Sequence, residues 1–401
     1  MVKTASTRSY ERADGVHLSP PARTITTALP TRAIATARPG AMARPARTSA
    51  TALRNVAGAA ALSLLLLAGA CAEKPALPTA PLERDPVTDT SYVEVTPAWT
   101  GFDAPRDVLA GREPFIYVAD TGNDRIVMLD LAGRVVGVSG RIARPVALAQ
   151  DYRFNLLVAA ELDTTIQGTA VTLGAVIRID LAAAAHDIAR APMTTLYTEP
   201  SKANRRFTGV AALPDNTLLV ARVGPLNTSP VDPDVAVLRI AADGALMSPV
   251  GAVSPSGNAI GSIGGLTSLT VPDNSRSFAI TQSDPEQQFR VQLFSFFTGS
   301  EGEGWRPALQ PAFDADAMMS VGRFDRPEDI AYDRFGNIYV VDAGRDSVFK
   351  FNAQGRAFAG QSFGGAGVLS SPHGVAHFDR TLYVADTDNN RIARFRLSTD
   401  N

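Results

Sequence analysis

The feature that most constrains the fold of this chain is a repeated group of short hydrophobic runs. Three clear copies share a Pro that opens the first run, an Asp that ends the second run, and a third run after a turn. They comprise residues 105–109, 115–120 and 123–130; 327–331, 337–342 and 346–351; and 372–376, 381–386 and 389–395. Alternation such as Val-Phe-Lys-Phe at 348–351 is typical of β-strands. Self-similarity of this kind indicates a repeat architecture.

Three weaker copies lie between the clear ones. They comprise residues 145–148, 156–160 and 175–180; 209–213, 218–222 and 235–240; and 265–269, 277–281 and 290–295. Six copies of three or four strands each predict an all-β fold, a six-bladed β-propeller over residues 91–398. In such a ring each blade packs against its neighbours, so that sheet faces and edges are covered. Residues 181–191 are the one helical candidate.

The clear copies resemble the NHL-repeat family, whose unit has a Pro-x-Gly-hydrophobic opening, a Tyr-Val-Ala-Asp strand and an Asn-x-Arg-Ile turn. The residues that carry the resemblance are Asp120, Asn123 and Arg125 in the first copy and Asp386, Asn389 and Arg391 in the last. Asp342 matches, whereas the turn after it differs. The resemblance covers about residues 101–398 and implies a propeller. We expect the three Asp residues to accept turn N–H groups, and Arg125 and Arg391 to span adjacent blades.

The last copy ends at Leu397 after only three strands. Residues 92–96, Tyr-Val-Glu-Val-Thr, form a strand-like run that belongs to no complete copy. We therefore predict that this run supplies the fourth, outer strand of the last blade. The two ends of the chain would then close the ring, and the outer edge of that blade would not be open to pairing with other chains.

An apolar stretch at residues 56–70 follows a basic segment that contains Arg44, Arg47 and Arg54. It is shorter than the ~20 residues that a transmembrane helix needs, and it ends in small residues, as secretory signals do. We assign residues 42–70 to a signal peptide. Residues 1–41 are either a disordered extension or a mis-assigned start, because Met42 begins a normal basic region.

Cys71 is the one cysteine of the chain, and it directly follows Leu-Ala-Gly-Ala at 67–70. This run resembles a bacterial lipobox, which implies lipidation of Cys71; cleavage without a lipid is the alternative. Residues 71–90 contain four prolines and predict a tether. The expected location is the cell envelope, on the extracytoplasmic side, with the membrane contacted through the lipid. We expect a monomer.

Charge disfavours nucleic acid as a partner. The whole chain has a formal net charge of -2, but residues 71–401 contain 29 Lys or Arg and 38 Asp or Glu. A nucleic-acid surface needs clustered basic side chains that replace phosphate counterions. No Gly-Lys-Ser/Thr phosphate loop and no Gly-x-Ser-x-Gly elbow occurs in the sequence.

Histidine is scarce, which limits metal chemistry. Downstream of the leader only His186, His373 and His377 remain. His373 and His377 would lie ~13 Å apart on one strand, too far to share a zinc ion. Pro-His-Gly at 372–374 is similar to an element of amidating lyases, propellers that bind zinc through several blade histidines. Only one of the six corresponding positions here is His, so a zinc lyase is disfavoured.

Five polar residues at the starts of innermost strands form the candidate site: Arg106, Asp107, Glu328, Asp329 and His373. Strand starts lie near the axis of a propeller, so we expect these side chains to gather at one channel mouth. Carboxylates there suit a divalent cation such as Ca²⁺, as in gluconolactonase-like propellers, or a small ligand. A salt-linked, solvated rim is the structural alternative. No residue is assigned as catalytic.

The sequence therefore predicts an extracytoplasmic binding or scaffold module for a protein or a small ligand, and not an enzyme. A protein partner would contact loops between second and third strands, which we place at residues 163–173, 224–234 and 283–288. The alternative is a channel-centred, metal-dependent lyase or lactonase. The propeller fold alone does not decide between these two functions, because it occurs in proteins with many different activities. The cofactor stays unknown, with a divalent cation as one candidate.

Overall fold

A computed structural model describes residues 90–400, except residues 226, 228, 230 and 301. The predicted signal peptide, Cys71 and the tether at 71–89 lie outside the described residues. The described part belongs to one compact unit, Leu82–Asn401. Within the described residues, no helix is long and apolar enough to cross a membrane.

Six antiparallel sheets confirm the six-bladed propeller. Two short strands come first, β1 (Tyr92–Glu94) and β2 (Trp99–Thr100). Blade 1 has β3 (Pro105–Ala110), β4 (Phe115–Asp120), β5 (Arg125–Asp130) and β6 (Val135–Val138). Blade 2 has β7 (Ala143–Gln150), β8 (Asn155–Ile166), β9 (Thr169–Asp180) and β10 (Met193–Thr198). Blade 3 has β11 (Arg206–Ala212), β12 (Leu218–Val223) and β13 (Ala236–Ile240).

The other three blades follow in chain order. Blade 4 has β14 (Leu266–Thr270), β15 (Phe278–Gln282), β16 (Val291–Gly299) and β17 (Gly302–Pro307). Blade 5 has β18 (Pro327–Tyr332), β19 (Ile338–Asp342), β20 (Ser347–Phe351) and β21 (Phe363–Gly364). Blade 6 has β22 (Pro372–Phe378), β23 (Thr381–Asp386) and β24 (Arg391–Leu397).

The first strands of the chain complete the last blade, as predicted. β1 pairs with β24, Tyr92 opposite Leu397 and Glu94 opposite Phe395. β2 pairs with the other end of β24, Trp99 opposite Ile392. The pairing strand is shorter than the predicted run at 92–96. Trp99 is buried, and its ring centroid lies 5.4 Å from that of Tyr383. The ring is thus closed by both backbone pairing and a buried aromatic contact.

The innermost strands approach one another closely. A Cβ atom on Gly209 would lie 2.5 Å from the backbone N of Leu269, and one on Gly374 would lie 2.6 Å from Cα of Asp107. Only glycine fits such contacts, because a side chain would displace the backbone of the next blade. Behind these strands, the blades interlock through apolar side chains such as Val118 and Tyr383.

Asp120, Asp342 and Asp386 are fully buried, and each accepts a backbone N–H from the segment before its blade. Of the three, only Asp342 accepts the expected backbone N–H of the following turn, from Gly344 at 3.0 Å, so the role is structural but the donor differs in the other two copies. Arg125 and Arg391 do not chiefly span blades, however, because each donates from Nε to the Asp of its own blade, at 2.6 and 2.7 Å. A carboxylate taken out of water is stabilised by several donors, and the nearest Arg supplies the opposite charge.

Two local expectations are wrong. Residues 163–173 are not a loop, because β8 and β9 continue as one long hairpin to a turn at Gln167 and Gly168. Both turn residues have positive φ, 49° and 83°, as a tight two-residue hairpin requires. Residues 181–191 do not form an α-helix and contain only a 3₁₀ turn at Ala182–Ala184.

Candidate functional site

The six innermost strands, β3, β7, β11, β14, β18 and β22, surround an axial cavity of about 220 Å³. Most of its wall consists of small or aliphatic residues, among them Ala147, Ala149, Val210, Ala212 and Leu269. These residues leave space at the axis because their side chains are short. Aliphatic side chains therefore share the wall with a roughly equal exposed polar surface, which includes the carboxyl groups of Asp107 and Asp329.

A β-bulge near the start of the innermost strand sets which side chains reach the axis. In blade 1 the pairing register shifts between Pro105 and Asp107, and in blade 5 between Pro327 and Asp329. A bulge inserts one unpaired residue and reverses the direction of the side chains that follow. Asp107 and Asp329 consequently line the axial cavity, whereas the bulged residues, Arg106 and Glu328, line the outer mouth.

Asp107 and Asp329 each bridge to the next blade. The N–H of Leu148 in blade 2 donates to Asp107 Oδ2 at 2.6 Å, and the N–H of Val375 in blade 6 donates to Asp329 Oδ2 at 2.9 Å. Ser268 Oγ also donates to Asp329 Oδ1 at 2.6 Å. These bonds satisfy inner-edge amides that have no strand partner, and they fix both carboxyl groups beside the cavity.

Burial is the main cause of the raised pKa values of Asp107 and Asp329. Both side chains keep some surface on the axial cavity, but they lie deep within the ring. Burial raises the pKa of Asp107 well above its ordinary value, and the charge of Asp329 raises it further. Burial also raises the pKa of Asp329, against the opposing effect of its hydrogen bonds. No described Lys, Arg or His forms an ion pair with either carboxyl group, so only neutral donors stabilise their ionised forms.

The outer mouth holds the other three predicted residues, Arg106, Glu328 and His373. Glu328 Oε1 lies 3.9 Å from His373 Nε2 and 3.3 Å from Arg326 Nε. Burial raises the pKa of Glu328 to about 7, and burial lowers the pKa of His373 to about 4. His373 is therefore neutral near pH 7, and its Nδ1 lies 2.8 Å from the carbonyl oxygen of Ser371.

The five predicted residues thus lie at one end of the ring, divided between two places. Two of them, Asp107 and Asp329, line the cavity, and the other three line the mouth. The mouth is salt-linked, as in the structural alternative, because Arg326 pairs with Glu328. It is less solvated than that alternative expects, because the side chain of His373 is largely buried. Across the part of the chain that the structure describes, no three His, Cys, Asp or Glu side chains converge to hold a metal ion.

The opposite end of the axial cavity opens into a wide cleft that sequence reasoning did not find. The cleft has a volume of about 1010 Å³ and shares Pro272, Asp273, Tyr332 and His377 with the wall of the axial cavity. Its wall comes from blades 4 to 6, from Leu131 after β5 of blade 1, and from β1, which are distant in sequence. His377 was considered only as a zinc ligand, although the alternation along β22 could have placed it at the far end.

Two of the three segments proposed for a protein partner are loops between the second and third strands of a blade. In the loop at 224–234, Asp232 and Asp234 are held against blade 3 by the buried Arg205, which pairs with them at 2.9 and 2.8 Å. Arg222 pairs with Glu199 at 2.6 Å. Residues 283–288 connect β15 and β16, as expected. A protein partner on these loops stays a prediction.

Comparisons with known proteins agree with this architecture. The sequence profile of the NHL repeat matches residues 369–395, which contain β22, β23 and most of β24. No curated protein matches the chain. Three solved structures illustrate the likeness, which at these identities concerns the fold alone.

An auxiliary nutrient binding protein from Bacteroides thetaiotaomicron is 11% identical, with a TM-score of 0.51 over 74% of this chain and 70% of that one. A protein of unknown function from the same organism is 12% identical, with a TM-score of 0.51 over 77% of this chain and 75% of that one. A putative gluconolactonase is 11% identical, with a TM-score of 0.49 over 78% of this chain and 93% of that one.

Proposed function

Since the chain is an NHL-repeat β-propeller, we propose that it is an exported, lipid-anchored binding protein that holds a small cationic ligand in its axial cavity. The observation that carries this proposal is the pair of carboxyl groups of Asp107 and Asp329. Both line the cavity, both have a raised pKa, and their hydrogen-bond donors are neutral groups. A ligand ammonium group would supply the positive charge that they lack.

The physical reason is the cost of burying negative charge. Two carboxylates in an apolar ring repel each other, and burial penalises the ionised form of both. A cation between them replaces repulsion with two charge-assisted hydrogen bonds, which are stronger than neutral ones. A neutral or anionic ligand cannot form these charge-assisted hydrogen bonds with the two carboxylates.

The size of the axial cavity restricts the part of the ligand that enters it. Its volume of about 220 Å³ is below the range of about 300–1,000 Å³ that encloses a drug-sized molecule. A primary or secondary ammonium on a short aliphatic chain suits this space, because aliphatic side chains such as Val210 and Leu269 form part of the same wall as the carboxyl groups. A larger ligand would extend into the cleft that the cavity joins at Tyr332 and His377.

Two other roles have less support. A metal-dependent lyase or lactonase would need a cluster of ligands, and the described residues contain no such cluster. A scaffold role would rest on three partner loops, one of which is the turn end of a long hairpin. Export and lipidation are proposed from the apolar stretch at 56–70 and from Cys71.

The proposal is tested by thermal-shift measurements with a series of short primary amines and with the alcohols of the same shape. We expect amines, and not alcohols, to raise the melting temperature in a saturable manner. Asp107→Asn and Asp329→Asn should each weaken binding of the best amine at least about tenfold, because a buried charged hydrogen bond contributes about 1.5–3 kcal/mol. Asp388→Asn, at the outer mouth, is the matched control. Equal responses to amines and alcohols would contradict a cation site.

A further inference from the structure

The cleft at the far end of the axial cavity lies over blades 5 and 6, bounded by the turns that follow β18 and β22. β1 closes one side of it, so that Tyr92 is part of its wall. Its volume of about 1010 Å³ is at the upper end of the range for small-molecule sites. This cleft is separate from the outer mouth, with which it shares no lining residue.

A layer of aromatic rings forms the floor. The imidazole of His377 stacks on Tyr339, with ring centroids 5.5 Å apart and planes at 11°. Tyr92 meets Tyr339 edge-on at 6.2 Å, and the two hydroxyl groups lie 3.0 Å apart. Tyr339 also donates to Asp333 Oδ2 at 3.2 Å. These contacts make the floor rigid, because each ring is held by at least one neighbour.

Two polar groups in the wall lack protein partners. The hydroxyl of Tyr332 and the ring nitrogens of His377 form no hydrogen bond with any residue that the structure describes. Both side chains are only half-buried, and both line the neck between the cleft and the axial cavity. Partly buried hydroxyl and imidazole groups normally find a partner. Both groups face the cleft, so a ligand bound there can replace water as their hydrogen-bond partner.

The charges around the cleft are balanced. Three carboxylates and three cationic side chains line it: Asp273, Asp333, Asp379, Arg334, Lys350 and Arg380. The oxygens of Asp333 are occupied within its own turn by Phe335 and Asn337. A strongly charged ligand would meet a group of like charge on one side of the cleft. A neutral ligand with many hydrogen-bond donors and acceptors is compatible with both the carboxylates and the cationic side chains.

We infer that this cleft is a second binding site, which takes a neutral sugar ring. One face of a pyranose carries C–H groups that can lie on the aromatic floor at His377. The hydroxyl groups around the ring both donate and accept, which matches the hydroxyl of Tyr332, the imidazole of His377 and the carboxylate of Asp273. Phe335, which is 74% exposed at the rim, offers a further apolar surface. The site uses neither Asp107 nor Asp329, so sugar binding there does not require the carboxyl groups of the cation site.

The test is calorimetric titration of the full chain with a panel of neutral mono- and disaccharides, with sorbitol as the open-chain comparison. We expect saturable binding of at least one ring sugar and none of sorbitol. Tyr332→Phe should weaken that binding by about threefold to tenfold, since it removes one hydroxyl and leaves the ring. His377→Phe should keep the stack on Tyr339 and lose both nitrogens, with a similar or larger effect.

Two controls keep the outcomes distinct. Tyr197→Phe removes a hydroxyl in blade 2 that donates to Glu199, away from the cleft, and should leave sugar affinity unchanged. Asp107→Asn should also leave it unchanged. No binding of any panel sugar, or unchanged affinity in both Tyr332→Phe and His377→Phe, would overturn the cleft site. Weaker sugar binding in Asp107→Asn would place the sugar in the axial cavity and would equally overturn it.

Discussion

The charge of Asp329 raises the pKa of Asp107, although blade 6 separates the strands that carry the two residues. The intervening strand has Gly374 at this level, and a Cβ there would lie 3.0 Å from Asp107 Oδ1. Because Gly374 has no side chain, no side chain from this position lies between the two carboxyl groups, and the charge of one acts on the other. The close packing of the innermost strands thus brings together the two carboxyl groups that we propose as the cation site.

Stability of the ligand-free protein should fall as the pH rises from about 6.5 to 8.5. Asp107, Asp329 and Glu328 have raised pKa values in the folded state, Glu328 about 7. The folded state then binds more protons than the unfolded state, so deprotonation favours unfolding. His373 acts in the opposite direction, but only between its folded pKa of about 4 and its ordinary value of 6.5.

We expect Glu328 and Asp329 together to contribute a loss on the order of 1 kcal/mol, measured by urea unfolding at several pH values. Glu328→Gln should reduce the slope in this window. A free energy of unfolding that is constant or rises from pH 6.5 to 8.5 would show that these acids are not perturbed as described.

Closure of the ring should depend on the first two strands. A chain that begins at Gly101 lacks β1 and β2, which leaves the outer edge of β24 unpaired and removes the buried ring of Trp99. Loss of a buried Trp alone costs about 3–5 kcal/mol. We expect a lower melting temperature and aggregation through the open edge. Equal melting temperatures for chains that begin at Lys74 and at Gly101 would contradict the closure.

Asp386→Ala should be strongly destabilising. The carboxylate of Asp386 accepts from the N–H of Ser370, from Asn389 and from Nε of Arg391, and it is fully buried. Its removal leaves one charged and two neutral donors without this acceptor, at a cost of about 3–5 kcal/mol. Asp388→Ala, two residues away and exposed, should change the free energy of unfolding by less than about 0.5 kcal/mol. Denaturant melts of both variants give the comparison.

Anchoring should depend on the thiol of Cys71. Cys71→Ser should abolish acyl labelling and shift the protein from the detergent phase to the aqueous phase, while the propeller keeps its melting temperature. Metabolic labelling with a fatty acid, followed by phase partitioning, measures both effects. Wild-type protein that takes up no label would refute lipidation, and export would then need its own test.

The repeated residues were sufficient to predict the six blades and the closing strand. The Asp of each clear copy is followed by turn residues that it binds, so local chemistry and global fold agree there. The hairpin at β8 and β9 was missed because its polar Thr-rich strands resemble a loop in composition. Their alternation, and the Gln167-Gly168 turn, were the signals that identify a hairpin.

The candidate site was predictable only in part. Position near the axis follows from the order of strands, which identified Asp107 and Glu328 as near neighbours of the channel. Which of them lines the cavity depends on the bulge between Pro105 and Asp107 and its counterpart in blade 5. The cleft depends on residues from four blades and on β1. Contacts of this range have no local signature in the sequence.

The most direct test of the account is the proton balance of amine binding at the Asp107–Asp329 pair. Calorimetric titration near pH 6, in buffers with different heats of ionisation, measures how many protons leave the protein when the best short amine binds. A cation favours the ionised carboxylates, so we predict proton release, an affinity that rises with pH up to about 7, and weaker binding with smaller proton release in Asp107→Asn. Amine binding without proton release, and with unchanged affinity in Asp107→Asn, would contradict the central claim.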